Sequence, residues 1–236
     1  MTQFLSIPLI ALLSLLSIPA WAQECSVLKT PHTAHYRGSF KGWRVNATQQ
    51  LAATSSKGQW QFTSTASNPV GSITQQSLFK PDSQHHLLSQ HYHYQRKVLL
   101  KTETLDTVYD WKARQASTTR DDTMRVVALQ GGELDDLNYQ LAIRCDLLAG
   151  QTEFRYPVVD RKEIDWLDFK VVGEEKLETA LGVLDTVIVK RIRNNNNRIT
   201  TLWFAKTLDY QMVKLLQEER KETEAYLLYI ESLSKP

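Results

Sequence analysis

Four of the six histidines in the chain are concentrated in residues 85–97, HHLLSQHYHYQRK. If this segment is one β-strand, its side chains alternate between two faces, and His91 and His93 share the more polar face with His85. Histidines two residues apart lie about 7 Å apart along a strand, a spacing at which both can bind one zinc or copper ion. His85 is roughly 20 Å away, too far to join them. A third ligand would come from a strand that the sequence does not identify, so a hydrated polar face is the alternative that the sequence favours.

Other patterns that carry chemistry in enzymes are incomplete. The sequence has no G-x-S-x-G nucleophile motif. Gly131-Gly132 lacks the Lys and Ser or Thr of a phosphate-binding loop. Adjacent acids on a strand, such as Glu174 and Glu175, point to opposite faces and do not readily act together as acid and base. The sequence therefore predicts a non-enzymatic protein without a cofactor.

Only two cysteines are present, Cys25 and Cys145. In an oxidising compartment the simplest interpretation is one disulfide, and the alternative is two unpaired thiols. The bond would close a loop of about 120 residues, for which chain entropy gives an upper value of about 5 kcal/mol of stabilisation. Their wide separation excludes a C-x-x-C redox motif.

The first residues are typical of a secretory signal peptide. An apolar run over residues 4–19 is followed by Ala20-Trp21-Ala22, which predicts cleavage after Ala22. The alternative is a membrane anchor, for which the apolar run is short. We expect residues 1–22 to be removed and residues 23–236 to form a single β-rich domain in the periplasm.

The composition argues against two classes of protein, nucleic-acid-binding proteins and integral membrane proteins. The net charge is +2 and 23% of residues are charged, without the concentrated basic patch of a nucleic-acid-binding protein. Beyond the leader, no apolar stretch is long enough to span a bilayer. We therefore expect that the protein does not bind nucleic acid and is not an integral membrane protein.

Most of the mature chain has the pattern of short antiparallel strands. Runs rich in Thr, Val, Tyr, Trp and Phe are interrupted by turn residues about every 8 to 12 positions. Hairpin turns are predicted at Lys57-Gly58, at residues 179–182 and at the four asparagines 194–197. Strand residues around Val187 are apolar on both faces, which favours a closed or layered sheet over a flat one.

One segment has helical periodicity instead. Its apolar stripe consists of Leu134, Leu137, Leu141, Cys145 and Leu148. We expect a helix from about residue 132 to residue 149, with acidic residues in its first turn and Gly150 at its end. A long antiparallel sheet with one helix predicts a mainly β fold. The sheet would curl into a barrel or half-barrel, with the helix packed on its concave side or at its mouth.

Five tryptophans fall in predicted strands or at their ends: Trp43, Trp60, Trp111, Trp166 and Trp203. The interpretation that the sequence favours is core packing. The alternative is an apolar cavity inside the curled sheet that binds a lipid or another hydrophobic molecule.

Several segments resemble a known family. They are YDWKA (109–113), LDDLNYQLAIRCDLLAG (134–150), YPVVD (156–160), GEEKLETALGVLDTVIVKRIR (173–193), TTLWFA (200–205) and YQMVKLLQEE (210–219). In this order they are similar to the exported bacterial family called domain of unknown function 3108, over about residues 36–232. The resemblance implies a Gram-negative envelope protein with a mainly antiparallel β fold. It implies no catalytic residues, and the histidine-rich segment is not part of the family's pattern.

Two functional hypotheses follow. The first is a periplasmic, non-enzymatic protein that binds a lipid or another hydrophobic small molecule, with the helix as a lid or plug. The second is a scaffold that binds another envelope protein and whose barrel is filled by its own side chains. A metal-binding protein built on His91 and His93 is the third and least favoured hypothesis.

Overall fold

A computed structural model describes residues 25–82, 86–193, 197–219 and 225–235. Residues 1–22, predicted to be a signal peptide, lie outside the described residues, and cleavage after Ala22 stays a prediction. In the described ranges the chain forms fourteen strands, one α-helix and two short 3₁₀ helices, Ser26–Lys29 and Lys206–Leu208. The strands and the helix are β1 (His32–Phe40), β2 (Trp43–Ala53), β3 (Trp60–Asn68), β4 (Gly71–Pro81), β5 (Leu87–Val98), β6 (Lys101–Asp110), β7 (Gln115–Arg120), β8 (Thr123–Ala128), α1 (Tyr139–Leu148), β9 (Glu153–Val159), β10 (Ile164–Thr179), β11 (Gly182–Ile192), β12 (Arg198–Ala205), β13 (Gln211–Glu219) and β14 (Tyr226–Ser234).

The strands form one antiparallel sheet in the order β8-β7-β6-β5-β4-β3-β2-β1-β14-β13-β12-β11-β10-β9. Sequential hairpins account for all neighbours except β1 and β14, which join the two ends of the chain. The sheet curls into a nearly closed barrel with a single helix, which confirms the predicted fold class. No helix in the described ranges is both long and apolar enough to cross a membrane.

The two ends of the barrel differ. The β1–β2, β3–β4, β5–β6 and β7–β8 turns lie at one end because neighbouring strands alternate in direction. We call this end the mouth. The connection from β8 to β9, which contains α1, begins and ends at the opposite end, which we call the base.

The edge strands β8 and β9 are connected by the chain between β8 and α1, which pairs with the last residues of β9. Leu134 forms a parallel bridge with Val158 of β9. The Leu134 amide donates to the Pro157 carbonyl at 2.8 Å, and the Val159 amide donates to the Leu134 carbonyl at 3.0 Å. The Tyr109 hydroxyl of β6 also donates to the Leu134 carbonyl, at 3.1 Å. This segment therefore connects the two edges of the sheet.

The predicted start of the helix is wrong. Helix α1 begins at Tyr139, not near residue 132, and has no acidic residue in its first turn. The Glu133 carboxylate accepts hydrogen bonds from the backbone amides of Gln130 and Gly131. The Asp135 carboxylate accepts them from the amides of Leu137 and Asn138. These side-chain bonds replace the helical bonds of the preceding turn. Gly150, with φ 78°, follows the end of the helix as predicted.

Cys25 and Cys145 form a disulfide, as the sequence predicts, with their Cα atoms 5.3 Å apart. The bond joins the 3₁₀ helix at the start of the described chain to α1. It therefore attaches α1 to the segment before β1.

The prediction that the tryptophans fill the core is wrong for two of them. Trp203 is buried, whereas Trp43 and Trp166 are 46% and 48% exposed. Trp166 is covered on one face by the Arg155 guanidinium, 4.7 Å from the ring centroid. Trp43 begins β2 at the mouth of the barrel, beyond the packed part of the interior.

Candidate functional site

Inward-facing side chains become more exposed from the base to the mouth. On β5, Leu87, Ser89 and Tyr92 are buried, Tyr94 is half-buried and Arg96 is exposed. The same gradient runs along β4, from buried Phe79 and Ser77 through half-buried Gln75 to exposed Ile73. Strand alternation places each series on one face, apart from a bulge opposite Phe79. The barrel is therefore packed near the base and accessible to solvent near the mouth, in a space that we call the lumen.

The base is filled by α1 and the residues before it. Leu137, Leu141 and Ile143 have no exposed surface. The Tyr139 ring stacks on Phe169 of β10 at a centroid distance of 5.6 Å. Apolar contacts therefore occupy this region.

Two side-chain hydrogen bonds connect α1 and the residue before it to the barrel wall. The Asn138 amide donates to the Ser89 hydroxyl at 2.9 Å. The Gln49 amide on β2 donates to the Gln140 side-chain oxygen on α1, also at 2.9 Å. Hydrogen-bonded polar groups of this kind fix the position of the helix relative to the barrel wall.

Arg144 is a buried cation at the base. Its guanidinium donates to the Asp209 carbonyl at 3.2 Å and lies 3.1 Å from the His32 ring. Burial, followed by the charge of Arg144, lowers the pKa of His32 to about 4. His32 is therefore neutral near pH 7, and its ring nitrogen can accept a hydrogen bond from Arg144. These groups serve packing and are not accessible from the lumen.

Asp136 marks the floor of the lumen. Its side chain is exposed, although the residues on both sides of it, Asp135 and Leu137, are fully buried. Enclosure by the barrel, followed by the neighbouring charge of Asp160, raises the pKa of Asp136 to about 6. A carboxylate that is both enclosed by protein and in contact with solvent lies in an internal space that water enters.

Two arginines extend into this space from β11 and the residue directly after it. Arg191 and Arg193 continue the face of β11 that buries Val189 deeper in the barrel. Arg191 forms an ion pair with Asp165 at 3.2 Å. Arg193 donates to the Arg198 carbonyl at 3.1 Å and to the Thr200 hydroxyl at 3.2 Å. Burial, followed by the charges of Arg191 and Arg198, lowers the pKa of Arg193 to about 10. Because Asp165 pairs with Arg191, the positive charge of the wall formed by β10–β12 lies mainly at Arg193.

The wall formed by β14 and β1–β4 is mainly apolar. Phe40 of β1 contacts Tyr226 of β14 edge-to-face at a centroid distance of 5.9 Å. Half-buried Ala66 on β3 and exposed Ile73 on β4 continue this wall toward the mouth. In a barrel of this strand order, β3 and β4 lie across the lumen from β10 and β11, whereas β14 is separated from β12 only by β13. The lumen thus has one apolar wall and one cationic wall.

The structure places His91 and His93 outside the barrel, on the face opposite buried Tyr92. The side chain that the sequence did not identify is Asp106 of β6, which lies 3.3 Å from His91 Nε2 and 2.8 Å from His93 Nδ1. No three His, Cys, Asp or Glu side chains in the described part of the chain are arranged to hold a metal ion. The metal site at His91 and His93 stays a prediction.

The predicted alternation of the histidine-rich segment is partly wrong. Leu87 and Ser89 are buried, and so they share the inner face with Tyr92 and not the outer face with His91. The cause is a bulge in the β4–β5 pairing, where Leu78 pairs with His91 and the next residue pairs with Ser89. His85 lies outside the described residues.

The residues of the lumen were not recognised in the sequence. In the sequence, Arg191 and Arg193 belong to a chain without a concentrated basic patch, and Asp136 is one of the acidic residues in the first turn of the predicted helix. A usable signal was present, because the alternation of Val187 and Val189 continues directly into Arg191 and Arg193. A strand face that changes from apolar to cationic indicates a buried wall that leads into a polar cavity.

Comparisons with known proteins concern family and fold. The family model "Protein of unknown function (DUF3108)" matches residues 32–227. No curated protein matches the sequence. The structure is similar to the crystal structure of a beta-barrel-like protein of domain of unknown function DUF1849 from Brucella abortus, with a TM-score of 0.54 and 9% identity. This similarity covers 88% of the present chain and 98% of the other chain, and at that identity it concerns the fold alone.

Proposed function

We propose that this chain, which belongs to the DUF3108 family of proteins of unknown function, binds an anionic amphiphile in the lumen of its barrel. The protein is a binding protein and not an enzyme in this proposal. The apolar part of the ligand lies against the β14 and β1–β4 wall, and its anionic group lies against the β11 wall.

The observation that carries the proposal is the exposure gradient inside the barrel. Tyr92 is buried, Tyr94 is half-buried and Arg96 is exposed on one continuous inner face. A scaffold filled by its own side chains would instead bury inward residues along the whole length of its strands. The packed base therefore serves as the floor of a binding site.

The chemistry of the walls selects the ligand class. Phe40, Ala66 and Tyr226 offer a surface for a hydrocarbon chain. Arg191 and Arg193 offer guanidinium groups, which bind carboxylate or phosphate oxygens with paired hydrogen bonds. Asp136 on the floor opposes deep entry of the anionic group. The anionic end therefore stays near the arginines.

Export to the periplasm is part of the same proposal. The leader over residues 1–22 supports it, and so does the disulfide between Cys25 and Cys145, since such bonds persist in oxidising compartments. Mass measurement of the protein purified from an envelope fraction tests it, with Gln23 expected as the first residue.

The binding test uses dodecanoate as the probe and dodecylammonium as the probe of opposite charge, measured by isothermal titration calorimetry. We expect the protein to bind dodecanoate more tightly. Arg193→Gln should weaken dodecanoate binding by about 10- to 100-fold, since a hydrogen bond to a charged group contributes about 1.5–3 kcal/mol. Lys190→Gln is the matched control, because Lys190 is exposed on the other face of the same strand.

A second pair of variants tests the lumen itself. Ala66→Phe places a ring in the space and should abolish binding, whereas Thr65→Phe, on the opposite face of β3, should not. Circular dichroism checks that both variants fold. Equal affinities of the two folded variants, or no binding of dodecanoate by the wild type, would refute the proposal and favour the scaffold hypothesis.

A further inference from the structure

Two leucines are fully presented to solvent at the mouth of the barrel. Leu99 and Leu100 form the β5–β6 turn and are 82% and 102% exposed. Single exposed apolar residues are common on proteins, but two adjacent leucines at the tip of a hairpin bury nothing of their own. The stability of the fold therefore does not explain why these two residues are leucines.

The turn is also unfavourable for leucine. Leu99 has φ 52°, in the left-handed region, where a residue with a branched side chain is disfavoured by roughly 1–2 kcal/mol. Other turns at the mouth contain residues suited to this conformation: Gly42 between β1 and β2, beside Lys41 which also has positive φ, and Asp121-Asp122 between β7 and β8. A residue that is unfavourable for its backbone conformation, and that gains no packing contacts there, indicates a functional constraint.

The surroundings of the two leucines form a continuous surface, which we call the rim patch: Val70, Ile73, Val98, Leu99 and Leu100. The Leu99 amide donates to the Val70 carbonyl at 3.1 Å, so that two neighbouring turns are joined. Ile73 and Val98 are 38% and 36% exposed. The patch thus extends from the turn tips to the entrance of the lumen.

The charges around the rim patch are mainly positive on the side of β5. Arg96 and Lys97 precede the leucines and Lys101 follows them, and all three side chains are exposed. The nearest acidic residue is Glu103 of β6, which is paired across the strands with Arg96 and forms ion pairs with Arg120 and Arg161. Asp121 and Asp122 lie in the next turn at the mouth. Apolar side chains flanked by cations match a membrane surface, whose headgroup layer is anionic and whose interior is apolar.

We propose that the rim patch docks the mouth of the barrel on an anionic lipid membrane, with Leu99 and Leu100 inserted between the lipids. Lys97 and Lys101 contact the lipid phosphates. The inference extends the proposed function, because it gives an amphiphile a route between a membrane and the lumen, but it depends on different residues.

The test is flotation of the protein with phosphatidylcholine vesicles that contain phosphatidylglycerol. The wild type should bind them. Leu99→Asn/Leu100→Ser should lower the partition coefficient roughly 100-fold, from the loss of two inserted side chains. Asn tolerates the left-handed region better than leucine, and so this variant should be at least as stable as the wild type in urea.

Two further variants separate the contributions. Lys97→Gln/Lys101→Gln should weaken binding roughly 30-fold on vesicles with phosphatidylglycerol and much less on pure phosphatidylcholine. Leu181→Asn is the matched control. Leu181 is 37% exposed in the β10–β11 turn, which the alternation of strand direction places away from the mouth, and its loss should change nothing.

Failure of docking is distinguishable from failure of the lumen proposal. The Leu99→Asn/Leu100→Ser variant should still bind dodecanoate in solution with wild-type affinity. No flotation of the wild type, or equal flotation of this variant, overturns the docking inference whatever the result with dodecanoate. Self-association of the wild type through these leucines, without vesicle binding, overturns it as well.

Discussion

Asp135 provides the sharpest test of the interior of the barrel, because two opposing effects act on one carboxylate. The side chain has no exposed surface. It accepts hydrogen bonds from the Ser77 hydroxyl at 2.5 Å and from the amides of Leu137 at 3.0 Å and Asn138 at 2.8 Å. Burial favours the neutral acid, whereas these donors favour the carboxylate. Burial is the larger effect and raises the pKa of Asp135 from 3.8 to about 6.

The sign of the resulting pH dependence follows from linkage. A pKa that is higher in the folded protein than in the unfolded chain means that the folded state binds the proton more tightly. The contribution of Asp135 to stability is therefore fully present below its unfolded pKa of 3.8 and is lost as the pH rises through about 6. A shift of about 2 pH units corresponds to about 3 kcal/mol.

The measurement compares the wild type with Asp135→Asn in urea, followed by tryptophan fluorescence, at several pH values from about 8 to about 4. The Asn side chain keeps an oxygen that can accept from the two amides but cannot ionise. We expect the wild type to gain about 2.5 kcal/mol relative to the variant on acidification across this range. If the free energies of unfolding of the two proteins change in parallel with pH, the reasoning is refuted. If the wild type loses stability relative to Asp135→Asn on acidification, the three hydrogen-bond donors outweigh burial.

Two predictions concern the connections at the base. Cys25→Ser/Cys145→Ser should lower the free energy of unfolding by up to about 5 kcal/mol, because the bond spans 120 residues of sequence; urea titration measures it, and a loss below about 1 kcal/mol would contradict it. Tyr109→Phe removes the hydroxyl that donates to the Leu134 carbonyl and should cost about 1 kcal/mol. Hydrogen exchange should then show faster opening at the Leu134 amide, and unchanged exchange there would mean that this bond does not hold the edges of the sheet together.

The order of hairpins was predictable from sequence because its causes are local. Period-two alternation marks strands such as β11, and turn residues such as Gly58 and Gly182, which have positive φ, interrupt them. These signals do not depend on distant parts of the chain. The hairpin tip at residues 194–197 is described only at its last residue, and so most of that prediction stays untested.

The candidate site was not predictable in the same way. The face of each residue in the histidine-rich strand depends on a bulge in its pairing with β4, and bulges arise from the match of two strands rather than from one. The missing neighbour of His91 and His93 is Asp106, 13 residues beyond His93, and only the β5–β6 register places it there. Sequence periodicity carries no information on such register.

The sequence by itself determined a β-rich chain with one helix and a pair of cysteines, because alternation, helical spacing and residue type are properties of short segments. Only the tertiary structure decided where α1 begins, since Asp135 is held by Ser77, 58 positions away in the chain. It also decided that Asp136 and Arg191 lie in one solvent-accessible space. Curling of the sheet brings them together, and that curvature is a collective property of fourteen strands that no single segment encodes.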